Sequence, residues 1–143
     1  MSEPSHRILL RGPWQCEWLE GPEPALAEGP SSVRMPVSWQ DAFGPVAGRV
    51  RFRRRFHTPT NLEPEEHVVL AFEGLEGTTE ISVNGTRIAS VEQSEEILRC
   101  DVTQLLRPFN DLTVDICFDA RSTDRPGGLW KPVAIEIHFI MPS

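Results

Sequence analysis

Thr79-Glu80-Ile81-Ser82-Val83-Asn84-Gly85-Thr86-Arg87-Ile88-Ala89 is the stretch whose reading decides the fold. Thr79, Ile81 and Val83 alternate with polar residues, the period-two pattern of a half-buried strand. Asn84-Gly85 interrupts the pattern and Arg87-Ile88-Ala89 resumes it. An Asn-Gly pair between two such segments predicts a hairpin closed by a type I′ turn, because that turn needs positive φ at both central residues.

The same alternation extends in both directions. Upstream, Val68, Leu70 and Phe72 interleave with Val69 and Ala71, so both faces are partly apolar, which predicts a central strand. Further upstream, Val50, Phe52 and Phe56 share one phase, and Arg54 falls in it. Trp14, Cys16 and Trp18 share a face, and Val33, Met35 and Val37 repeat the pattern before Trp39. Downstream, Leu112, Val114, Ile116 and Phe118 form one strand; Val133, Ile135, Ile137, Phe139 and Met141 form the last. The one helical signal is a turn carrying Val102, Leu105 and Leu106, capped by Asp101 or Thr103 and ended by Pro108. About eight strands joined by turns predict an all-β sandwich of two antiparallel sheets. Glu20 to Ser32, rich in Pro, Gly, Glu and Ala, reads as a loop crossing the sandwich. The segments from Gln15 to Leu19 and from Glu136 to Phe139 are candidates to pair with each other.

The chain has 143 residues, 39% of them hydrophobic, enough for one domain, 1–143, with one core. Its formal net charge of −7 argues against a nucleic-acid partner. Cys16, Cys100 and Cys117 form no CxxC pair, so no metal or redox site is expected and the thiols read as ordinary buried ones. No apolar stretch approaches the length that spans a bilayer. Ile8-Leu9-Leu10 is too short for a signal-peptide core, so the chain as given reads as cytoplasmic.

An ordered series of motifs adds a second line. It comprises Trp14 to Trp18, Met35-Pro36-Val37-Ser38-Trp39, Val50-Arg51-Phe52-Arg53-Arg54-Arg55-Phe56, Leu70-Ala71-Phe72-Glu73-Gly74 and Ile81-Ser82-Val83-Asn84-Gly85. Asp101-Val102-Thr103-Gln104-Leu105-Leu106, Asn110-Asp111-Leu112-Thr113-Val114 and Gly127-Gly128-Leu129-Trp130-Lys131-Pro132-Val133 complete it. Over nearly the whole chain this series resembles the N-terminal sugar-binding domain of family 2 glycoside hydrolases. The resemblance implies a jelly-roll sandwich of the galactose-binding-like type. It also implies that hydrolysis belongs to two Glu on a separate barrel domain, which would need about 250 further residues. In the family, an acidic residue in the loop corresponding to Arg121–Trp130 reaches the substrate in the neighbouring barrel, a role that would fall on Asp124.

The residues themselves offer no catalytic constellation. Glu65-Glu66 and Glu95-Glu96 are sequence neighbours, and adjacent strand residues point to opposite faces, so they read as solvated turns. None of His6, His57, His67 and His138 is spaced with another for metal binding, and no Gly-x-Ser-x-Gly elbow occurs; His67 and His138 read as surface positions. Asn84-Gly85-Thr86 matches a glycosylation sequon, which the hairpin turn explains better. Arg49, Arg51, Arg53 and Arg55 share an outward phase and read as a solvated or interface stripe. Arg54, in the apolar phase, needs a partner such as Glu73, Asp115 or Asp119, or else holds an acidic ligand on the concave face.

The most ligand-like segment runs from Arg121 to Trp130. Asp124, Arg125 and Trp130 are its candidate ligand-binding residues, with Trp39 and Asp41 as a second pair. Sugars pair an apolar C–H face with hydroxyls that need donors and acceptors, which suits aromatic rings beside polar side chains. Three readings follow: a carbohydrate-binding module without cofactors, a protein-interaction sandwich docking through its arginine stripe or loops, and a fragment of a family 2 hydrolase.

Overall fold

The computed structural model describes residues 6–21, 31–94 and 96–140. Two antiparallel sheets face each other in a jelly-roll β-sandwich. The strands are β1 (His6–Leu9), β2 (Trp14–Glu20), β3 (Ser31–Val33), β4 (Ala47–His57), β5 (Glu66–Phe72), β6 (Leu75–Val83), β7 (Thr86–Ser94), β8 (Leu98–Asp101), β9 (Phe109–Asp119) and β10 (Val133–Phe139). The four-stranded sheet runs β1-β10-β5-β8 and the six-stranded sheet β3-β2-β4-β9-β6-β7.

The hairpin forms as its sequence predicts. Asn84 and Gly85 take φ of 52° and 85°, and Val83 pairs with Thr86 across the turn. Register then aligns the apolar phases. Cys16, Phe52, Val114 and Ile81 stand on one rung of the six-stranded sheet. All four point into the core, where Val68, Leu70, Phe72, Val133 and Ile135 meet them from the other sheet. Burial pushes the Cys16 thiol up to about 12, so it is an inert core group. Cys117, by contrast, is exposed, and all three thiols are free. β5 is a central strand between β10 and β8, as its two apolar faces require.

Several expectations are corrected. Ten strands form among the described residues, two more than the pattern predicted. The segments around Gln15 and Glu136 do not pair. β2 pairs with β3 and β4, while β10 pairs with β1 and β5 in the other sheet. They lie in different sheets, each turning apolar residues toward the shared core. The loop expected over Glu20–Ser32 falls mostly outside the described residues. Its flanks, β2 and β3, are antiparallel neighbours in one sheet, so it does not begin on one sheet and end on the other.

Met35 and Val37 extend no strand. β3 stops at Val33, the Met35–Pro36 peptide is cis, and the chain becomes a loop bonded to Arg11 and Leu129. A helix missing from the sequence reading follows, α1 (Trp39–Phe43). The expected helical turn is a 3₁₀ turn over Thr103–Leu105, with the Asp101 carboxylate accepting from the Thr103 backbone N–H at 3.0 Å.

His138 is buried, not a surface residue. It lies on the outer side of β10, where its Nε2 contacts Glu136 Oε1 at 2.8 Å. Glu136 is fully buried and also accepts from Arg7 and Arg99, whose long side chains come from β1 and β8. Burial pushes the Glu136 carboxyl up. Hydrogen bonds from Arg99 and His138 and the charges of Arg99 and Arg7 outweigh it and hold the group below its usual range. Half-buried His67, opposite His138 in register, contacts Asp101 at 2.6 Å.

Candidate functional site

One end of the sandwich is built from α1 and the loop after β9. α1 is short because Ser38 and Gly44 bound it. The Ser38 hydroxyl accepts from the Asp41 N–H at 3.0 Å, and Gly44 ends the helix with φ of 82°. Trp39 drives the docking. It is 1% exposed, packs edge-on against Trp18 and Phe43 and lies against Phe118, with its indole N–H donating to the Val46 carbonyl at 3.0 Å.

The loop is then fastened to α1. Trp39 N–H donates to Gly127 O at 2.9 Å, Gln40 N–H to Pro126 O at 3.2 Å, and the Gln40 amide reaches Ala120 O and Thr123 O at 3.2 and 3.3 Å. Gly127 has φ of 72°, and a Cβ there would lie 2.3 Å from the Phe118 ring. Only glycine fits that close approach. Gly128 exchanges two backbone hydrogen bonds with Glu76 on β6, and Arg125 Nε donates to the buried Glu76 carboxylate.

The result is a polar cleft of 570 Å³ lined by Gln40, Pro45, Arg121, Ser122, Thr123 and Asp124. Arg121 is held by Asp119, with Nε to Oδ1 at 3.0 Å. Asp124 is exposed at the cleft.

Of the five candidate residues, Asp124 is the one that lines this cleft. Asp41 is exposed on the adjoining helix. Arg125 is engaged with Glu76. Trp39 presents no ring for stacking, because the aromatic cluster buries it. Trp130 is half-buried beneath the Lys131 ammonium, 4.7 Å from its ring centre, and its indole N–H is buried without an acceptor. The sequence reading missed Gln40, Ser122 and Thr123. Their only signal was proximity to Asp41 and Asp124. Among the described residues, no group of three or more His, Cys, Asp or Glu is placed to hold a metal ion.

The arginines also sort differently from expectation. Arg51 makes a two-pronged bond to Asp115 at 2.8 and 2.9 Å, Arg53 lies 3.5 Å from Asp111, and Arg49 lies 3.7 Å from Glu80. Three of the four outward arginines thus form a cross-strand charge ladder, which Arg55 does not join among the described residues. None of the three carboxylates expected for Arg54 serves it: Glu73 binds Arg7, Asp115 binds Arg51 and Asp119 binds Arg121. The Arg54 guanidinium donates instead to the Arg55 carbonyl, and its Nε is buried without a partner.

Comparison with solved structures returns the same sandwich. The FMN-binding β-glucuronidase of Facaelibacterium prausnitzii L2-6 superposes with a TM-score of 0.72 at 22% identity, over 92% of this chain and 22% of that one. A β-glucuronidase from an uncultured Clostridium species gives 0.74 at 19%, over 96% and 30%. A β-glycosidase from Bacteroides vulgatus gives 0.74 at 17%, over 93% and 20%. At such identities the likeness is one of fold, and the chain spans between a fifth and a third of these glycosidases. No curated protein sequence matches the chain. No helix among the described residues is long and apolar enough to cross a membrane. The model of one family matches residues 47–125, more than half of the chain, from β4 through Asp124 and Arg125. With motif order, sandwich topology and family match in agreement, the chain belongs to the glycosyl hydrolase 2 galactose-binding domain-like family.

Proposed function

We propose that the chain is one galactose-binding-like domain, 1–143, that binds a carbohydrate without catalysing its hydrolysis. The supporting observation is the cleft at the α1 end, where Gln40, Ser122, Thr123 and Asp124 bring amide, hydroxyl and carboxylate groups around one hollow. Such a set supplies the donors and acceptors that vicinal sugar hydroxyls need. Pro45 supplies an apolar wall for a C–H face. With no aromatic platform among the described residues that line the cleft, affinity is weak, in the millimolar range of about −4 kcal/mol. The similar structures are glycosidases by name, which makes a glycoside the first ligand to test. The reading is the same whether or not a barrel follows the domain.

Three of the stripe's four arginines do not favour protein docking. Arg49, Arg51 and Arg53 each already face a carboxylate of this chain.

The test is an NMR titration of the full chain with methyl β-glucuronide and methyl β-galactoside. Saturable shifts at the amides of Gln40 and of residues 120–124 are expected with one of them. Asp124→Ala should weaken that binding about tenfold, the worth of one charge-assisted hydrogen bond. Flat titrations with both sugars would overturn the reading.

A further inference from the structure

A second hollow, of 630 Å³, opens elsewhere on the sandwich. Its position follows from strand lengths. β2 pairs with β4 only as far as Arg53, so Arg54 to His57 have β9 on one side and no strand on the other. β1 is likewise the edge of its sheet. The inner faces therefore part here. Ile8 and Ile135 of the four-stranded sheet look across at Phe56 and Arg54 of the six-stranded one.

The hollow's chemistry is two-sided. Ile8, Ile135 and Phe56 give it an apolar floor, and Phe109 stands at its margin 71% exposed. Phe109 is held edge-on by His57, with ring centres 4.8 Å apart. Arg54, Arg55 and Arg107 line the same hollow. Among the described residues none of the three has a carboxylate partner, whereas eight other arginines do. Among the described residues the one carboxylate lining the hollow is Asp111, which lies against Arg53. In a chain with a net charge of −7, a cluster of guanidiniums without carboxylate partners over an apolar floor is a local inversion of charge.

We infer that this groove binds a small amphipathic anion, with an apolar or aromatic body on Phe56 and Phe109 and an acidic head group on Arg54 and Arg107. Its volume lies within the range of small-molecule sites, about 300–1,000 Å³. Planar guanidiniums match carboxylate, sulfate and phosphate oxygens in pairs. Arg54 is half-buried where it lines the hollow, so its guanidinium is partly stripped of water before an anion arrives. The inference does not depend on the sugar cleft, which is built from other residues.

The probe is 1-anilinonaphthalene-8-sulfonate, whose aromatic body and sulfonate mimic the two halves of the ligand. Its neutral counterpart is N-phenyl-1-naphthylamine. Fluorescence titration of the full chain should give one saturable site for the sulfonate. Binding should fall at least tenfold in the double variant Arg54→Gln/Arg107→Gln and severalfold in Phe109→Ala. Asp124→Ala should leave it unchanged, and the neutral dye should bind at least tenfold more weakly to the unaltered chain. Phe109 and Arg107 are exposed, so the single variants Phe109→Ala and Arg107→Gln test the groove even if the Arg54 change disturbs folding. Sulfonate affinity within twofold of the unaltered chain in Arg107→Gln and Phe109→Ala would overturn the inference. Equal affinity for the two dyes would do the same.

Discussion

On the outer face of the four-stranded sheet, Arg7 and Arg99 converge on one carboxylate, Glu136; on the outer face of the six-stranded sheet, Arg49, Arg51 and Arg53 each meet a different one. The residue types are the same and the burial is not. Glu136 is fully covered, because the long side chains of Arg7 and Arg99 lie over it from β1 and β8. Glu80, Asp111 and Asp115 keep contact with water, Asp115 least. A carboxylate stripped of water depends on its partners, whereas a hydrated one has water as an alternative. The two faces should therefore respond to charge removal on different scales, although both look like ordinary ion pairing.

The largest effect is expected at Glu136. Glu136→Gln leaves Arg7 and Arg99 without their shared anion and keeps one acceptor oxygen where two served Arg7, Arg99 and His138. Full burial of both partners would make the loss about 3–5 kcal/mol. Arg7 and Arg99 retain side-chain exposures of 32% and 29%, which lets water recover part of it. A loss of about 2–3 kcal/mol in urea unfolding at pH 7 is expected. A loss below about 0.5 kcal/mol would place Glu136 with the ladder and erase the contrast.

The same carboxylate gives the contrast a pH dependence. Its folded-state pKa lies below the ordinary value of 4.5. The unfolded chain thus takes up the proton first as pH falls. The stabilisation from Glu136 is complete above 4.5 and is lost as pH drops toward and through the folded-state value. Unfolding midpoints measured from pH 7 to pH 3 should fall less steeply in Glu136→Gln than in the unaltered chain. Parallel curves would remove Glu136 as a source of acid sensitivity.

The sequence announced the strands far better than it announced this buried cluster. Ile81-Ser82-Val83-Asn84-Gly85 carries its hairpin in local terms, alternation plus a turn that needs positive φ. β5, β9 and β10 were legible for the same reason. Glu136 and His138 stand in the outward phase of β10, which period-two reasoning assigns to water. Their cover comes from arginines on β1 and β8, distant in sequence, and β1 itself shows no burial alternation to reveal it. α1 was hidden by its length: Trp39–Phe43 is too short for a helical period, and it forms because Trp39 finds Trp18, Phe43 and Phe118. At the candidate cleft, Asp124 was found from its loop, while Gln40 counts only because α1 brings it there. The Arg54 groove was half legible. Its inward phase could be read, but not that every expected carboxylate would be taken by another arginine.

The ladder sharpens the comparison from its weaker side. Arg51 and Asp115 share the best geometry on that face, with two parallel bonds at 2.8 and 2.9 Å. A double-mutant cycle of Arg51→Ala and Asp115→Ala should give a coupling of about 0.5–1 kcal/mol. Arg49 and Glu80, 3.7 Å apart and both well exposed, should couple by about 0.3 kcal/mol or less. Raising the salt from 0.05 to 0.5 M shortens the Debye length from about 14 to about 4 Å, and should erase the Arg49 coupling while leaving most of that at Arg51. Geometry sets that order within the ladder, because a bidentate bond loses less to screening than a bare charge contact. If the two couplings proved equal and equally salt-sensitive, bond geometry would not matter on an exposed sheet face. The gap between Glu136 and the ladder would then rest on burial alone.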